Sequence, residues 1–148
     1  MPDIDVTVAS ASGLIAPVLA LVVWSLIMFL WMYATRIPAM QKANIDLDNQ
    51  LTPQQLAGSV PTPARWKADN YNHLMEQPTI FYAAALAAAL AGLGDDVNVM
   101  AAWAYVILRV LHSLIQATVN VIMVRFLVFT LSTIALIVLA VRSLLAVI

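Results

Sequence analysis

The sequence predicts an all-α fold: an integral membrane four-helix bundle that forms a single domain over residues 1–148. Two observations lead to this prediction. Of the 148 residues, 63% are hydrophobic and only 10% are charged, whereas an average soluble domain is about half apolar and about a quarter charged. Four apolar segments follow one another along the chain, and about 20 residues are enough to cross a bilayer as a helix. An ordinary soluble enzyme and a disordered chain are both excluded, because neither has this composition.

The first span is predicted over residues 14–33, which contain no charged side chain. Pro17 falls near its start, where a missing backbone N–H costs least. The preceding segment carries Asp3 and Asp5 but neither Lys nor Arg, so it lacks the positive region of a cleaved signal peptide. We therefore expect this span to be retained.

The second span is predicted over residues 71–93, which are rich in alanine. Small residues let neighbouring helices approach closely, and alanine is also a strong helix former, so both interpretations of the alanines remain open. Pro78 is expected near the start of the apolar helix or at a kink. A turn rich in Gly and Asp over residues 92–96 ends this span.

The third and fourth spans are predicted over residues 97–117 and 121–147. Neither Gly nor Pro marks the turn between them. The only long polar stretch lies between the first two spans, and it is predicted as a partly ordered loop over residues 36–70 with some helix near residues 53–57.

The basic residues give the orientation. They concentrate in the long loop, which carries Arg36, Lys42, Arg65 and Lys67. The turn between the second and third spans carries only acids. By the positive-inside rule, the loop is predicted to be cytoplasmic and both termini to lie outside the cytoplasm. Arg142 opposes this count, but its side chain can snorkel to the outer interface.

Polar side chains form one stripe along the third span. At helical spacing they are Arg109, His112, Ser113, Gln116 and Asn120. Charges inside a bilayer are costly and usually pair or line a cavity. For His112, hydrogen bonding between helices is the commoner role.

A second polar stripe precedes the second span and consists of Asp69, Asn72, His73 and Glu76. Arg109 lies about 18 Å along the helix from Val97, past the middle of a hydrocarbon core that is about 30 Å thick. The predicted topology therefore gathers one cytoplasmic-side layer of Arg36, Asn72, Glu76, Arg109, His112, Gln116 and Arg125.

The predicted layer has more positive than negative charge and suits a ligand with several carboxylates and one amine. Arginine binds carboxylates in bidentate fashion, and Glu76 can take an ammonium group. The alternative is an internal network in which Glu76 pairs with Arg109, while Arg36 and Arg125 anchor the membrane interface. The chain has no cysteine, so any thiol must arrive with a ligand. We expect no metal site, because His73 and Glu76 lack a second ligand pair, and no nucleic-acid partner at a net charge of −1.

Two sequence motifs resemble those of a known membrane family. They are Arg109-Val-Leu-His112-Ser113 with Gln116 and Arg125, and Asn72-His73-Leu74-Met75-Glu76 with Pro78. They are similar to motifs of the membrane-associated proteins in eicosanoid and glutathione metabolism (MAPEG), and we interpret the chain as a bacterial-type member. The resemblance implies a homotrimer in the bacterial inner membrane, with a glutathione site between neighbouring subunits.

The resemblance also implies roles for individual residues. The glutathione-binding residues would be Arg36, Asn72, His73, Glu76, Arg109, His112 and Gln116. Arg125 would be catalytic and would stabilise the glutathione thiolate. The implied activity is that of a glutathione S-transferase or peroxidase acting on lipophilic electrophiles from the bilayer.

The chain departs from the family pattern at several positions. Gln116 stands where tyrosine is common, and Phe126 and Phe129 follow Arg125 where some catalytic members carry hydroxyl residues. These departures motivate an alternative, a non-catalytic structural or accessory subunit of a membrane complex. A third hypothesis is a small transporter that uses Glu76, although the nearby arginines would keep that carboxylate ionised.

Overall fold

The computed structural model describes residues 3–45 and 50–148, with side chains described from residue 13 onward within those ranges. This part of the chain is helical, which confirms the predicted all-α class. Its helices are α1 (Asp3–Lys42), α2 (Pro53–Ser59), α3 (Thr62–Leu74), α4 (Gln77–Leu90), α5 (Asp96–Thr118) and α6 (Ile122–Val147).

Three helical segments are long and apolar enough to cross a membrane: Gly13–Lys42, Asp96–Thr118 and Ile122–Val147. They correspond to the predicted first, third and fourth spans, and they agree with a membrane protein. The predicted second span is not one continuous helix. Its apolar part, α4, has 14 residues, or about 21 Å of helix, which is shorter than a hydrocarbon core of about 30 Å.

A break at Met75 and Glu76 separates α3 from α4. Pro78 explains it, because a proline inside a continuous helix has no N–H to donate and its ring meets the carbonyl four residues earlier. The N–H of Met75 ends α3 by bonding to the carbonyl of Asn72 at 2.9 Å. The Thr79 hydroxyl donates to the carbonyl of Glu76 at 2.6 Å as α4 begins.

The region predicted as a loop over residues 36–70 is largely helical where the structure describes it. Its first residues continue α1 to Lys42, and its last residues belong to α3. In α2, Thr52 and Gln55 form a capping box, which explains why helix forms near the predicted residues 53–57. Residues 46–49 of the predicted loop lie outside the described residues.

The turn between α5 and α6 is formed by Asn120. Its φ of 50° is left-handed, a conformation that asparagine tolerates better than most residues other than glycine. Its N–H bonds to the carbonyl of Ile115 at 2.7 Å and closes the end of α5. The turn therefore needs neither Gly nor Pro.

Helix α1 packs against α3, α4 and α5, and α5 packs against α6. The core between them is apolar and includes Leu21, Met28, Phe81 and Tyr105, each with no exposed surface. The rings of Phe81 and Tyr105 stack with their centroids 4.4 Å apart. Many large apolar side chains on α1 and α6 are exposed in the single chain, as expected for helices that face lipid or a neighbouring copy.

Polar side chains connect the helices inside the bundle. The amide of Gln77 donates to the hydroxyl of Thr133 at 2.9 Å, which joins α4 to α6. The hydroxyl of Ser113 donates to Asn70 at 2.9 Å, which joins α5 to α3. We call the half of the bundle that extends from the α3–α4 break to the α5–α6 turn the loop end. The opposite end, which holds residues 92–96, is the turn end.

Candidate functional site

The polar stripe predicted on α5 is buried on the face that packs against α3. Arg109 and Ser113 have no exposed surface, His112 is 2% exposed and Gln116 is 5% exposed. The 3.6-residue period of the helix brings these four side chains to one face. The stripe begins near the level of the α3–α4 break, where Arg109 bonds to His73, and runs toward the α5–α6 turn.

Arg109 is buried with few partners. One terminal nitrogen, Nη2, donates to the backbone carbonyl of His73 at 3.0 Å, and the guanidinium carbon lies 5.5 Å from the centre of the Phe129 ring. Its Nε and Nη1 are buried without a hydrogen-bond partner among the described residues. A buried charge is costly unless its hydrogen-bonding groups are satisfied. Arg109 therefore has two donors that a ligand or a neighbouring molecule can satisfy.

Other buried polar atoms without a partner in the described part of the chain lie on the same helices, α3, α5 and α6. They are Asn70 Nδ2, Gln116 Oε1 and Arg125 Nε, whereas Trp24 Nε1 on α1 and Ser143 Oγ near the end of α6 also have no partner but lie elsewhere. Native proteins satisfy most buried polar atoms. Together with Arg109, the first three atoms identify a polar region at the loop end that a single chain does not complete.

Glu76 does not pair with Arg109. Its carboxylate oxygen Oε2 lies 2.8 Å from Nδ1 of His73, and the Glu76 side chain is 67% exposed. Within the described residues, the internal network expected around a Glu76–Arg109 ion pair is therefore absent. The Glu76 carboxylate bonds instead to the imidazole of His73. The backbone carbonyl of the same residue accepts the hydrogen bond from Arg109.

A first cavity, which we call the histidine–arginine cavity, has a volume of about 370 Å³. It is lined by His73, His112, Ile122, Arg125, Phe126 and Phe129. The Arg125 guanidinium donates to the side-chain oxygen of Asn120, so the residue that forms the α5–α6 turn also orients this arginine. The cavity thus places a cation and two imidazoles beside aromatic walls.

A second cavity, which we call the α1–α3 cavity, has a volume of about 150 Å³. It is lined by Arg36, Pro53, Ala57, Val60, Arg65, Ala68, Asp69 and Asn72. Among the described residues, no ion pair involves either arginine. This cavity therefore also has cationic groups available for an anion.

Within one chain, the structure divides the predicted layer between these two cavities. His73, His112 and Arg125 meet in the histidine–arginine cavity, whereas Arg36 and Asn72 line the α1–α3 cavity. Arg109 and Gln116 are buried on α5. Glu76 lies at the helix break and is exposed.

Three residues near the site were not predicted from the sequence as site residues. Phe129 contacts the rings of His73 and His112, with centroid distances of 5.4 and 6.0 Å. It lies four residues after Arg125, so helical spacing could have placed both on one face. Asn70 and Asn120 hold Ser113 and Arg125, and only the tertiary structure shows these partners.

No group of three or more His, Cys, Asp or Glu side chains that could hold a metal ion occurs where the structure describes side chains. The polar groups that the structure places in this region are those of arginine, imidazole, amide and the carboxylates of Asp69 and Glu76. Such a set binds anions and transfers protons.

The family model described as the MAPEG family matches residues 14–145, which is most of the chain. The chain belongs to the MAPEG family. No curated protein matches the chain, and no solved structure matches it. MAPEG proteins generally use glutathione, form oligomers and act on membrane-associated substrates. The family match spans the two segments that carry the polar residues described above.

Proposed function

We propose that this protein binds glutathione at the loop end of the bundle and directs the glutathione thiolate at lipophilic electrophiles, as a glutathione S-transferase or peroxidase. The observation that carries the proposal is the buried Arg109, two of whose nitrogens have no hydrogen-bond partner within the described residues. In a MAPEG protein, a carboxylate of glutathione is the natural acceptor for these donors.

The charges of the site match those of glutathione. The tripeptide has two carboxylates and one ammonium group, and the layer offers Arg36 and Arg109 to the carboxylates. Glu76 is 67% exposed and can accept the ammonium group. Asn72, His73, His112 and Gln116 would complete the peptide site through neutral hydrogen bonds.

Arg125 is the proposed catalytic residue. A thiolate is favoured beside a guanidinium, because the positive charge lowers the pKa of the thiol. Arg125 lines a cavity whose walls include Phe126 and Ile122, which are 65% and 74% exposed in the single chain. This apolar rim supports the idea that the electrophile reaches the thiolate from the bilayer.

The division of site residues between two cavities supports a site shared by neighbouring subunits. In a homotrimer, the α1–α3 cavity of one subunit would face the histidine–arginine cavity of the next. Arg36 and Asn72 would then reach the glutathione bound beside Arg109 and Arg125. We place the protein in a bacterial inner membrane. The positive residues of the long loop favour a cytoplasmic location for this end and put both termini outside the cytoplasm.

The experiment that tests the enzyme assignment compares turnover with glutathione and a lipophilic electrophile, or a lipid hydroperoxide, in two variants. We expect Arg125→Gln to lower kcat by about 10²-fold while leaving the affinity for glutathione within a few-fold of wild type. Arg142→Gln is the matched control, because this arginine bonds to Asn98 and Asp95 at the turn end. Equal turnover in wild type and Arg125→Gln would refute the catalytic role of Arg125.

A specific observation favours the alternative of a non-catalytic accessory subunit. Phe129 packs over the rings of His73 and His112, and no hydroxyl side chain lines the histidine–arginine cavity. The accessory-subunit hypothesis predicts that wild type binds glutathione without any turnover and co-purifies with a fixed partner.

A further inference from the structure

His73 and Glu76 form a hydrogen-bonded pair across the break between α3 and α4. The imidazole Nδ1 lies 2.8 Å from the carboxylate oxygen Oε2. Because α3 ends at Leu74 and Glu76 is the N-cap of α4, the helix break itself brings the carboxylate to the imidazole. The pair is thus a product of Pro78, which prevents a continuous helix at this point.

The carboxylate determines which ring nitrogen of His73 is available. A carboxylate accepts hydrogen bonds and donates none when it is ionised, so it favours the tautomer with a proton on Nδ1. Nε2 then carries a free lone pair. This is how a carboxylate orients a histidine that acts as a general base.

The pair lies in the right place for such a base. His73 lines the same cavity as Arg125, and its ring packs against His112 and Phe129 at centroid distances of 5.1 and 5.4 Å. The titratable and charged groups around the imidazole are Glu76 at the helix break, Arg109 and His112 on α5, and Arg125 on α6.

The second histidine does not share this arrangement. His112 is 2% exposed, and among the described residues no carboxylate bonds to it, whereas one bonds to His73. With two histidines and no cysteine in the chain, His73 is the side chain best oriented to take a proton from an incoming thiol.

We propose that His73, oriented by Glu76, is the general base that deprotonates the thiol of bound glutathione beside Arg125. The S–H bond breaks, its electron pair stays on sulfur, and the proton forms a new bond to Nε2 of His73. The thiolate then adds to an electron-poor double bond, and a carbon–sulfur bond forms. The carbanion so produced takes the proton back from His73, which returns to its neutral state. This inference rests on the proposed function.

The test measures three quantities in parallel on the purified full-length protein in detergent: glutathione affinity, the ultraviolet absorbance of the bound thiolate, and kcat as a function of pH with an α,β-unsaturated ketone. We expect wild-type kcat to fall on the acid side as the base becomes protonated. In His73→Asn, we expect the acid limb to move to the higher pH at which the thiol itself ionises and kcat near neutral pH to drop by about 10²-fold. We expect the affinity to weaken no more than in His112→Asn, because each variant loses one hydrogen-bonding side chain of the peptide site. Added imidazole is expected to restore part of the rate.

Two further variants sharpen the test. His112→Asn is the matched histidine control, and we expect it to weaken affinity while keeping the acid limb. Glu76→Gln removes both the orienting charge and the acceptor for the ammonium group, so we expect weaker affinity. At saturating glutathione, we expect the rate of thiolate formation to fall by at least about tenfold. Glu76→Gln also serves as the second variant if His73→Asn fails to fold.

The outcomes separate the two proposals. If wild type binds no glutathione, the proposed function fails and this inference fails with it. If wild type binds glutathione and turns it over, but both His73→Asn and Glu76→Gln keep the wild-type pH profile and rate, the base assignment alone is overturned. A shift of the acid limb to higher pH in His73→Asn but not in His112→Asn supports His73 as the base, because a merely structural role would not change the pH profile selectively.

Discussion

At the scale of single residues, Arg109 is a buried charge that the stability of the fold does not require. Arg109 has no exposed surface, and among the described residues its guanidinium donates one hydrogen bond, to the carbonyl of His73. An apolar residue in the same place would avoid the cost of burying a charge, and such replacements are often neutral or stabilising. The burial of Arg109 is therefore better explained by a contribution to ligand binding than by a contribution to the free energy of unfolding.

Arg109→Met tests this reading. We expect the variant without glutathione to be as thermally stable as wild type, or more stable by up to about 2 kcal/mol, and to lose its response to glutathione. Ser113→Ala is the matched control from the same helix face, because Ser113 bonds across to Asn70 at 2.9 Å. Loss of this hydrogen bond is expected to lower the free energy of unfolding by about 0.6 kcal/mol, the average for polar contacts between membrane helices. If Arg109→Met instead lowers the free energy of unfolding by several kcal/mol, the arginine stabilises the fold and the interpretation is wrong.

The residue scale is also where sequence reasoning was partly successful. The period of α5 alone placed Arg109, His112 and Gln116 on one face, and all three are buried. Their partners were not predictable in the same way. Arg109 bonds to a backbone carbonyl, and every residue has such a group, so the sequence contains no signal for this contact.

At the scale of the elements, α5 and α6 are held together at the turn end by polar contacts. Asp95 caps α5 by accepting from the N–H groups of Val97 and Asn98, and Arg142 of α6 lies 3.3 Å from it. Desolvation alone would raise the pKa of Asp95. The two backbone N–H groups and the Arg142 guanidinium outweigh it and hold the pKa below its ordinary value.

This lowered pKa predicts a pH dependence of stability. A carboxyl whose pKa is depressed by folding contributes its full stabilisation above its unfolded pKa, about 3.9, and loses it as the pH falls through the folded value. We expect wild type to exceed Asp95→Asn in stability by up to about 1 kcal/mol near neutral pH, because the pair is half exposed. The difference should shrink in acid, as thermal unfolding in detergent over a pH series would show. A constant difference across that series would contradict the prediction.

The elements that the sequence predicted best are those with long apolar runs. The spans over residues 97–117 and 121–147 correspond to α5 and α6. A predominantly apolar segment that crosses a bilayer must satisfy its backbone hydrogen bonds internally, and a helix does so. The break between α3 and α4 was less predictable. Pro78 signals a kink or a start equally well, and only the packed structure distinguishes them. The turn between the spans over residues 97–117 and 121–147 was predicted, but its left-handed residue, Asn120, was not. That conformation is stabilised by contacts with Ile115 and Arg125.

At the scale of the whole molecule, the predicted site residues that line cavities are divided between two cavities of one chain. Arg36 lines the α1–α3 cavity and Arg125 lines the histidine–arginine cavity. The sequence predicted a single layer from topology and helix period, and these give depth in the membrane but not direction around the bundle axis. Which side chains face each other across a subunit boundary depends on the assembly, and one chain does not specify it.

A subunit-mixing experiment tests whether the site is shared. Arg36→Ala and Arg125→Ala chains with different tags are co-expressed, and complexes that contain both tags are purified. If one subunit supplies Arg36 and its neighbour supplies Arg125 around a closed ring of three, every complex that contains both tags has both arginines in about one third of its sites. We therefore expect these mixed complexes to show about a third of wild-type turnover and either variant alone to show almost none. No recovery in the mixture would place both arginines in a site formed by one chain.

The most direct test of the central claim is equilibrium binding of radiolabelled glutathione to the purified protein in detergent, measured over a concentration series for wild type, Arg109→Met and Arg142→Gln. We predict saturable binding to wild type and Arg142→Gln and no detectable binding to Arg109→Met, since Arg109 supplies buried donors to a glutathione carboxylate. The same samples should show a logarithmic rise in thermal stability with ligand concentration where binding occurs. Absence of binding to wild type at millimolar glutathione, or equal binding to all three proteins, would contradict the account.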